Sequence, residues 1–245
     1  MPTRAVQVVV DAAGPSRLAD FWAAALGWVV SADEPDEVEI CPAGFDYPGP
    51  EALPLVFIRV REPKTTKNRV HLDLSTTSAE HQAAEVERLL GLGAVRLDIG
   101  QGQVPWEVLA DPEGNEFCVL EPRPAYLDAS PVAAIVIDSA SPEATARFWA
   151  AASGWIPHET DPDFASLRAP AGTGPYLELL RVPDAKTAKN GLHVDVAPLP
   201  GGDVPAEVRR LTELGAVPID IGQGQVSWEV LADPEGNEFC VLSPR

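Results

Sequence analysis

The sequence predicts an α+β protein in which one domain occurs twice, and three observations carry that prediction. Asp98–Arg123 recurs as Asp220–Arg245 with only Pro105/Ser227 and Glu121/Ser243 different. Short β-branched runs alternate with stretches of helical period, in the same order in both copies. Each copy also ends on two strand-like runs joined by Asp-Pro-Glu-Gly, with proline and glycine where a type I turn wants them. The two copies are offset by 122 residues in the later matches and 127 in the earlier ones, so the first carries five extra residues between Trp28 and Lys64. A repeat this long is a domain duplication, because solenoid units of about 20 to 50 residues cannot bury a core alone.

Val6–Val10 is short and β-branched, as a buried strand should be. In the following helix Leu18, Phe21, Trp22, Ala25 and Leu26 form one apolar stripe, and Gly27 supplies the stop. The second copy repeats this with Ser141 as N-cap, Pro142 at the first helical position, Phe148, Trp149 and Ala152 inward, and Gly154 at the end. The five extra residues enlarge a loop expected over Cys41–Pro54. Leu55–Val60 and Tyr176–Val182 read as strands and are followed by two segments that carry His71 and His193. Thr77-Ser-Ala-Glu80 predicts a capping box for a helix with Ala83, Val86, Leu89 and Leu90 inward, closed by Gly91 and Gly93. Its counterpart spans about Asp203 to Leu214. Trp106–Ala110 and Glu116–Leu120 form the closing hairpin. Domain boundaries are expected at 1–124 and 125–245, with a stiff proline-rich linker over about 122–131. The sheets should be mostly antiparallel, with helices on one face and the other face left to line a cavity.

Composition removes several function classes. Eighteen basic against 37 acidic residues give a formal net charge of −19, which repels nucleic acid and anionic membrane surfaces. Cys41, Cys118 and Cys240 form an odd set without CxxC spacing, so neither a disulfide framework nor a thiolate zinc motif is signalled. With no secretory or membrane-spanning run, a cytoplasmic protein is expected. Gly100-Gln-Gly102 lacks the ending and context of a phosphate loop.

Asp11 with Phe21-Trp22 and Leu26-Gly27-Trp28, then Val70-His71-Leu72-Asp73, then Asp111-Pro112-Glu113-Gly114-Asn115-Glu116-Phe117 resemble the signature of glyoxalase-like domains. These belong to the vicinal oxygen chelate superfamily, the group of glyoxalases, bleomycin-resistance proteins and extradiol dioxygenases. The resemblance covers nearly the whole chain twice. It implies paired βαβββ modules in each half, curling into an open, mostly antiparallel barrel around a pocket, and two halves packed as an internal pseudo-dimer, so that a monomer or weak dimer suffices. It also implies four metal-ligand positions per site. Carried over within each copy, these fall near Gln7, Val56, His71 and Cys118 in the first and Ala134, Glu178, His193 and Cys240 in the second. Catalytic zinc and non-haem iron sites use three protein ligands, so a conventional metal site is not expected. Should a divalent ion bind, His193 and Glu178 are the candidates.

Strand alternation puts His71, Asp73, Glu116 and Cys118 on one face, with Leu72, Leu74, Phe117 and Val119 towards the helices, and groups His193, Asp195, Glu238 and Cys240 likewise. His71 and His193 are candidate acid/base groups, because adjacent carboxylates raise an imidazole's pKa. The equal alternative is a histidine fixed by its aspartate and touching no ligand. Cys118 and Cys240 read as buried small hydrophobes, with no cation or helix terminus evident to lower the thiol pKa. Trp106 and Trp228, after the Gly-Gln-Gly loops, suit either stacking on a flat ligand or packing. The lysines at 64, 67, 186 and 189 are either guards of a pocket mouth or solvated loop residues. The expected function is small-molecule binding without a conventional metal site, by sequestration or resistance. The alternative is a lyase, isomerase or dioxygenase that uses a divalent metal or a histidine acid/base in the second domain.

Overall fold

The computed structural model describes residues 3–127 and 129–245. The first repeat contains β1 (Thr3–Ala12), α1 (Pro15–Leu26), β2 (Val29–Glu34), β3 (Glu37–Cys41) and β4 (Leu55–Arg59). It continues through β5 (Val70–Leu74), α2 (Ala79–Leu92), β6 (Val95–Arg96), β7 (Glu107–Ala110) and β8 (Glu116–Val119). The second contains β9 (Val132–Ser139), α3 (Pro142–Ser153), β10 (Ile156–Thr160), β11 (Phe164–Arg168) and β12 (Tyr176–Arg181). Then come β13 (Leu192–Pro198), α4 (Val204–Glu213), β14 (Val217–Pro218), β15 (Glu229–Ala232) and β16 (Glu238–Val241). A 3-10 turn, Pro124–Tyr126, joins the repeats. The α+β reading of one unit repeated in tandem holds. Among the described residues, no helix is long and apolar enough to cross a membrane.

The strands form two mixed eight-stranded sheets, neither closed into a barrel, and most of their pairings are antiparallel. Sheet I runs β14-β15-β16-β13-β1-β4-β3-β2 and sheet II runs β10-β11-β12-β9-β5-β8-β7-β6. Each sheet therefore joins half of one repeat to half of the other, whereas the sequence reading kept both modules of a repeat together. β1 lies antiparallel to β13, with Val9 opposite His193, and β5 lies antiparallel to β9, with His71 opposite Val136. Ion pairs reinforce both seams: Lys67 reaches Asp138 at 2.7 Å, and Lys189 reaches Asp11.

One continuous core serves both sheets. Leu72, Leu74, Phe117 and Val119 enter it as their alternation predicts, together with Val194, Val196 and Phe239 of sheet I. Trp22 and Trp149 dock from the helices, each within 5.4 Å of its phenylalanine partner, Phe117 or Phe239. The opposite, helix-free faces carry two smaller apolar clusters, one per sheet.

Two caps differ from expectation. The N-cap of α2 is Ser78, whose hydroxyl accepts from the His81 amide, while His81 Nδ1 accepts from the Thr77 amide. The cap is therefore shifted one residue from Thr77, and the His81 imidazole reaches back to the residue before the cap, where a capping box would reach the cap amide itself. Ser141 precedes α3, but its side chain makes no cap bond. Glu235, from the β15–β16 turn, accepts the Ala140 and Ser141 amides instead. Glu113 does the same for Ala13 and Gly14 before α1. A carboxylate at a helix N-terminus satisfies donors and complements the dipole together.

Candidate functional site

On each helix-free face a histidine, an aspartate and a cysteine come together. In sheet I, His193 Nε2 lies 3.3 Å from Asp195 Oδ1 and 3.6 Å from Cys240 Sγ. The Cys240 amide donates to Asp195 Oδ1, and Gln7 of β1 donates to Asp195 Oδ2 at 2.9 Å. In sheet II, His71 Nε2 lies 3.5 Å from Asp73 Oδ1, and Asp73 is directly opposite Cys118 on β8. Within each trio the donor atoms all lie within 4.8 Å of one another. The alternation argument thus places three of the four expected residues of each group correctly.

Glu116 and Glu238 lie outside these close trios, although the Glu116 charge still acts on His71. Each pairs with a lysine, Lys64 at 2.8 Å and Lys186 at 2.6 Å, and also accepts a backbone amide, from Asn68 and Asn190 respectively. These carboxylates anchor the loops before β5 and β13. Both lysines are held in ion pairs, and Lys186 is mostly buried, so the solvated-lysine reading fails for Lys186.

The two faces differ where the repeats differ. Ala134 stands opposite Asp73, at the place where Gln7 stands opposite Asp195. Asp73 Oδ1 is buried with no hydrogen-bond partner among the described residues. Burial, then the nearby Glu178 charge, raises the Asp73 carboxyl to about 7. Burial and the Lys67 charge lower His71 to about 4, outweighing Glu116. The expectation that neighbouring carboxylates raise this imidazole's pKa is corrected: desolvation dominates, and His71 is neutral near pH 7. Burial, and then the paired aspartate, pushes both thiols up.

Glu178 also moves from its expected place. It lies on β12 opposite Val136, which itself pairs with His71. It therefore shares sheet II with His71, while His193 is in sheet I. The candidate ligand pair His193/Glu178 is divided between sheets because the repeats exchange modules. Glu178 Oε1 accepts from the Tyr126 hydroxyl at 2.6 Å. Tyr126 packs 5.6 Å from Tyr176, and Arg123 lies 5.8 Å from both the Tyr126 and Trp106 rings. The linker thus covers part of this face. Sequence reading missed Tyr126, Tyr176 and Arg123; one large aromatic within an otherwise small and polar linker was the available signal. Trp106 and Trp228 are half-buried at the edges of the two apolar clusters.

Burial raises the Glu178 carboxyl. The folded chain therefore keeps its proton to higher pH than the unfolded chain, and stability falls as pH rises through that window. Glu178→Gln retains an oxygen to accept from Tyr126 but loses the ionisation. It is expected to melt above the wild type at pH 7, with the gain vanishing below about pH 4, where the unfolded carboxyl is also protonated. Thermal melts across pH test this; equal melting at pH 7 contradicts it.

With the exchange included, the four positions implied for metal ligands are Gln7, Val56, His193 and Cys240 in sheet I, and Ala134, Glu178, His71 and Cys118 in sheet II. Neither set supplies three histidine or carboxylate donors, so these residues do not fit a conventional site. Two cavities lie elsewhere. An open cleft of about 630 Å³ is bounded by Arg69, Lys186, Lys189 and Glu235, and an apolar one of about 190 Å³ by Phe45, Leu53 and Trp155.

A family profile described as "Glyoxalase-like domain" matches residues 7–120 and 134–242. No curated protein matches the chain in sequence. Among solved structures, glyoxalase I from Zea mays is 14% identical with a TM-score of 0.67, over 98% of this chain and 92% of that one. A putative dioxygenase from Bacillus subtilis subsp. subtilis str. 168 is 13% identical with a TM-score of 0.61, over 99% and 85%. At these identities the likeness is one of fold.

Proposed function

Because this chain belongs to the glyoxalase-like domain family, we propose that it binds a small molecule on the helix-free faces of its two composite sheets, by sequestration and without the conventional metal. The observation that carries this reading is the donor set: one histidine and one cysteine at the four positions of sheet I, and one histidine, one cysteine and a phenol-bound glutamate in sheet II. Half-buried Trp106 and Trp228 at the rims offer flat apolar surface for a ligand. A thermal-shift screen of small organic molecules, run with and without chelator, tests it. Hits whose shifts survive chelator are expected. Stoichiometric zinc, manganese, iron, nickel or cobalt retained through dialysis would overturn the reading.

A second reading, a lyase or isomerase, is favoured by one contact: Gln7 fixes Asp195, and Asp195 sits beside His193 Nε2. This is the arrangement of a base and its orienting group. Under it, His193→Ala abolishes turnover of an identified substrate while leaving its affinity within a few-fold. Under sequestration, the same variant changes affinity alone.

A further inference from the structure

We infer that the molecule taken by the helix-free face of sheet II is an aryl carboxylate, its carboxylate held by the Nε and Nη2 edge of Arg168 and its flat body laid among Tyr176, Tyr126 and Trp106. This rests on the ligand reading above and names the chemistry of the ligand for one of the two faces.

Arg168 ends β11 directly opposite Tyr176 on β12. Its guanidinium carbon lies 4.5 Å from the centre of the Tyr176 ring, and Nη1 donates to the Tyr176 hydroxyl at 2.9 Å. Tyr176 belongs to the apolar cluster of this face, so Arg168 is held there too. Its other edge is bare. Nε and Nη2 are both buried and have no hydrogen-bond partner among the described residues, whereas Arg4 and Arg69 each lack a partner at Nε alone. A buried charged group costs more than a neutral one when its hydrogen bonds are missing. This edge of a guanidinium meets both oxygens of a carboxylate through two parallel bonds. The chain uses that geometry nearby: Arg123 Nε and Nη2 reach the two oxygens of Glu121 at 2.7 and 3.3 Å. Arg123 is thereby engaged, and Arg168 is left to receive an anion.

The rest of the face suits an apolar ring. Tyr126 and Tyr176 pack edge to face at 5.6 Å, and half-buried Trp106 borders the same cluster. The acids of the face oppose a carboxylate little, because burial holds Glu178 towards its protonated form and raises Asp73 to about 7. The turn that joins the repeats touches this corner, where the Ala125 carbonyl accepts from the Tyr176 hydroxyl at 3.4 Å; moving it gives the ligand access to the buried edge. Sheet I lacks the arginine and the tyrosine. Leu167 is opposite Leu177 as Ile40 is opposite Leu55, so the places of Arg168 and Tyr176 fall to Cys41 and Pro54. One carboxylate per chain is therefore expected.

The test is calorimetric titration of the full chain with benzoate and 2-naphthoate, and with benzamide and 2-naphthamide, which keep the outline without the charge. At least one carboxylate should bind at one per chain, roughly tenfold or more tighter than its amide, as a charge-assisted pair of bonds requires. Arg168→Met should erase that preference and leave amide binding in place. Its melting midpoint should be no lower than that of the wild type, since two unsatisfied buried donors are removed; a purely structural arginine would lower it. Arg168→Lys keeps the charge without the fork and should lose most of the preference. Failure of both carboxylates to bind overturns the inference, and so does a preference that survives in Arg168→Met. Amides that bind as tightly as the carboxylates overturn it alone and leave the ligand reading standing.

Discussion

Residues 3–124 expressed alone are expected to give no folded monomer. In the intact chain β1 is hydrogen-bonded to β13 and β5 to β9, so the isolated repeat would expose one edge on each of two four-stranded half-sheets. Such edges are templates for pairing. The half-sheets cannot close on each other without abandoning their observed packing around the core. A second copy can supply what is missing. β13 and β5 carry the related sequences LHVDV and VHLDL, and β9 and β1 are likewise equivalent, so two isolated repeats can rebuild both seams as a symmetric dimer. Sedimentation should find a dimer, and its melting midpoint should rise with concentration as dissociation and unfolding become linked. Alternatively, circular dichroism should find the chain unfolded. A concentration-independent folded monomer would contradict the interleaved arrangement.

That exchange separates what the sequence made legible from what it did not. The duplication, the helical stripes ending at Gly27 and Gly154, and the inward set Leu72, Leu74, Phe117 and Val119 are local patterns, and each is found as expected. Alternation also placed His71 beside Asp73 and Cys118, because β8 runs parallel to β5 within the same repeat. Which β1-like strand borders β5 is different in kind. Both candidates are β-branched and apolar, so either pairing fits their hydrophobic pattern equally, and the choice rests on long-range contacts such as Lys67–Asp138 and Lys189–Asp11. Assigning Glu178 to His193 followed from the default that neighbours in sequence are neighbours in space. The bonding at the start of α3 differs for a similar reason, although Ser141 is the N-cap as expected. Ser141 has the right residue type, but Glu235, remote in sequence, reaches the same amides with an ionised oxygen and a stronger bond.

The turn quoted for the family resemblance, Asp-Pro-Glu-Gly-Asn, accounts for the other large effect expected. Asp111 is buried, and its two oxygens accept four bonds. Oδ1 takes the amides of Glu113 and Asn115, and Oδ2 takes Trp22 Nε1 at 3.1 Å and Asn115 Nδ2 at 2.9 Å. Burial raises its carboxyl, and these same donors oppose the shift. Asp111→Ala would leave the donors unpaired beside the core, at about 1–3 kcal/mol for each that stays buried without water. A total loss of at least ~3 kcal/mol is expected, lowering the melting midpoint by about 6–12 °C for a chain of this size. Asp111→Asn discriminates the cause. It keeps an oxygen for the two backbone amides but turns an NH₂ group towards Trp22 Nε1 and Asn115 Nδ2, so it should lose stability through the indole contact while preserving the turn. Asp233 makes the matching bonds to Glu235, Asn237 and Trp149, so Asp233→Ala should cost a similar amount. Because the two turns share no partners, the double variant should lose nearly the sum, and because one core joins both sheets, it should still melt in a single transition. Denaturant unfolding measures both quantities. An Asp111→Ala variant within ~0.5 kcal/mol of wild type, the range of ordinary surface substitutions, would mean that the motif holds neither α1 nor the turn.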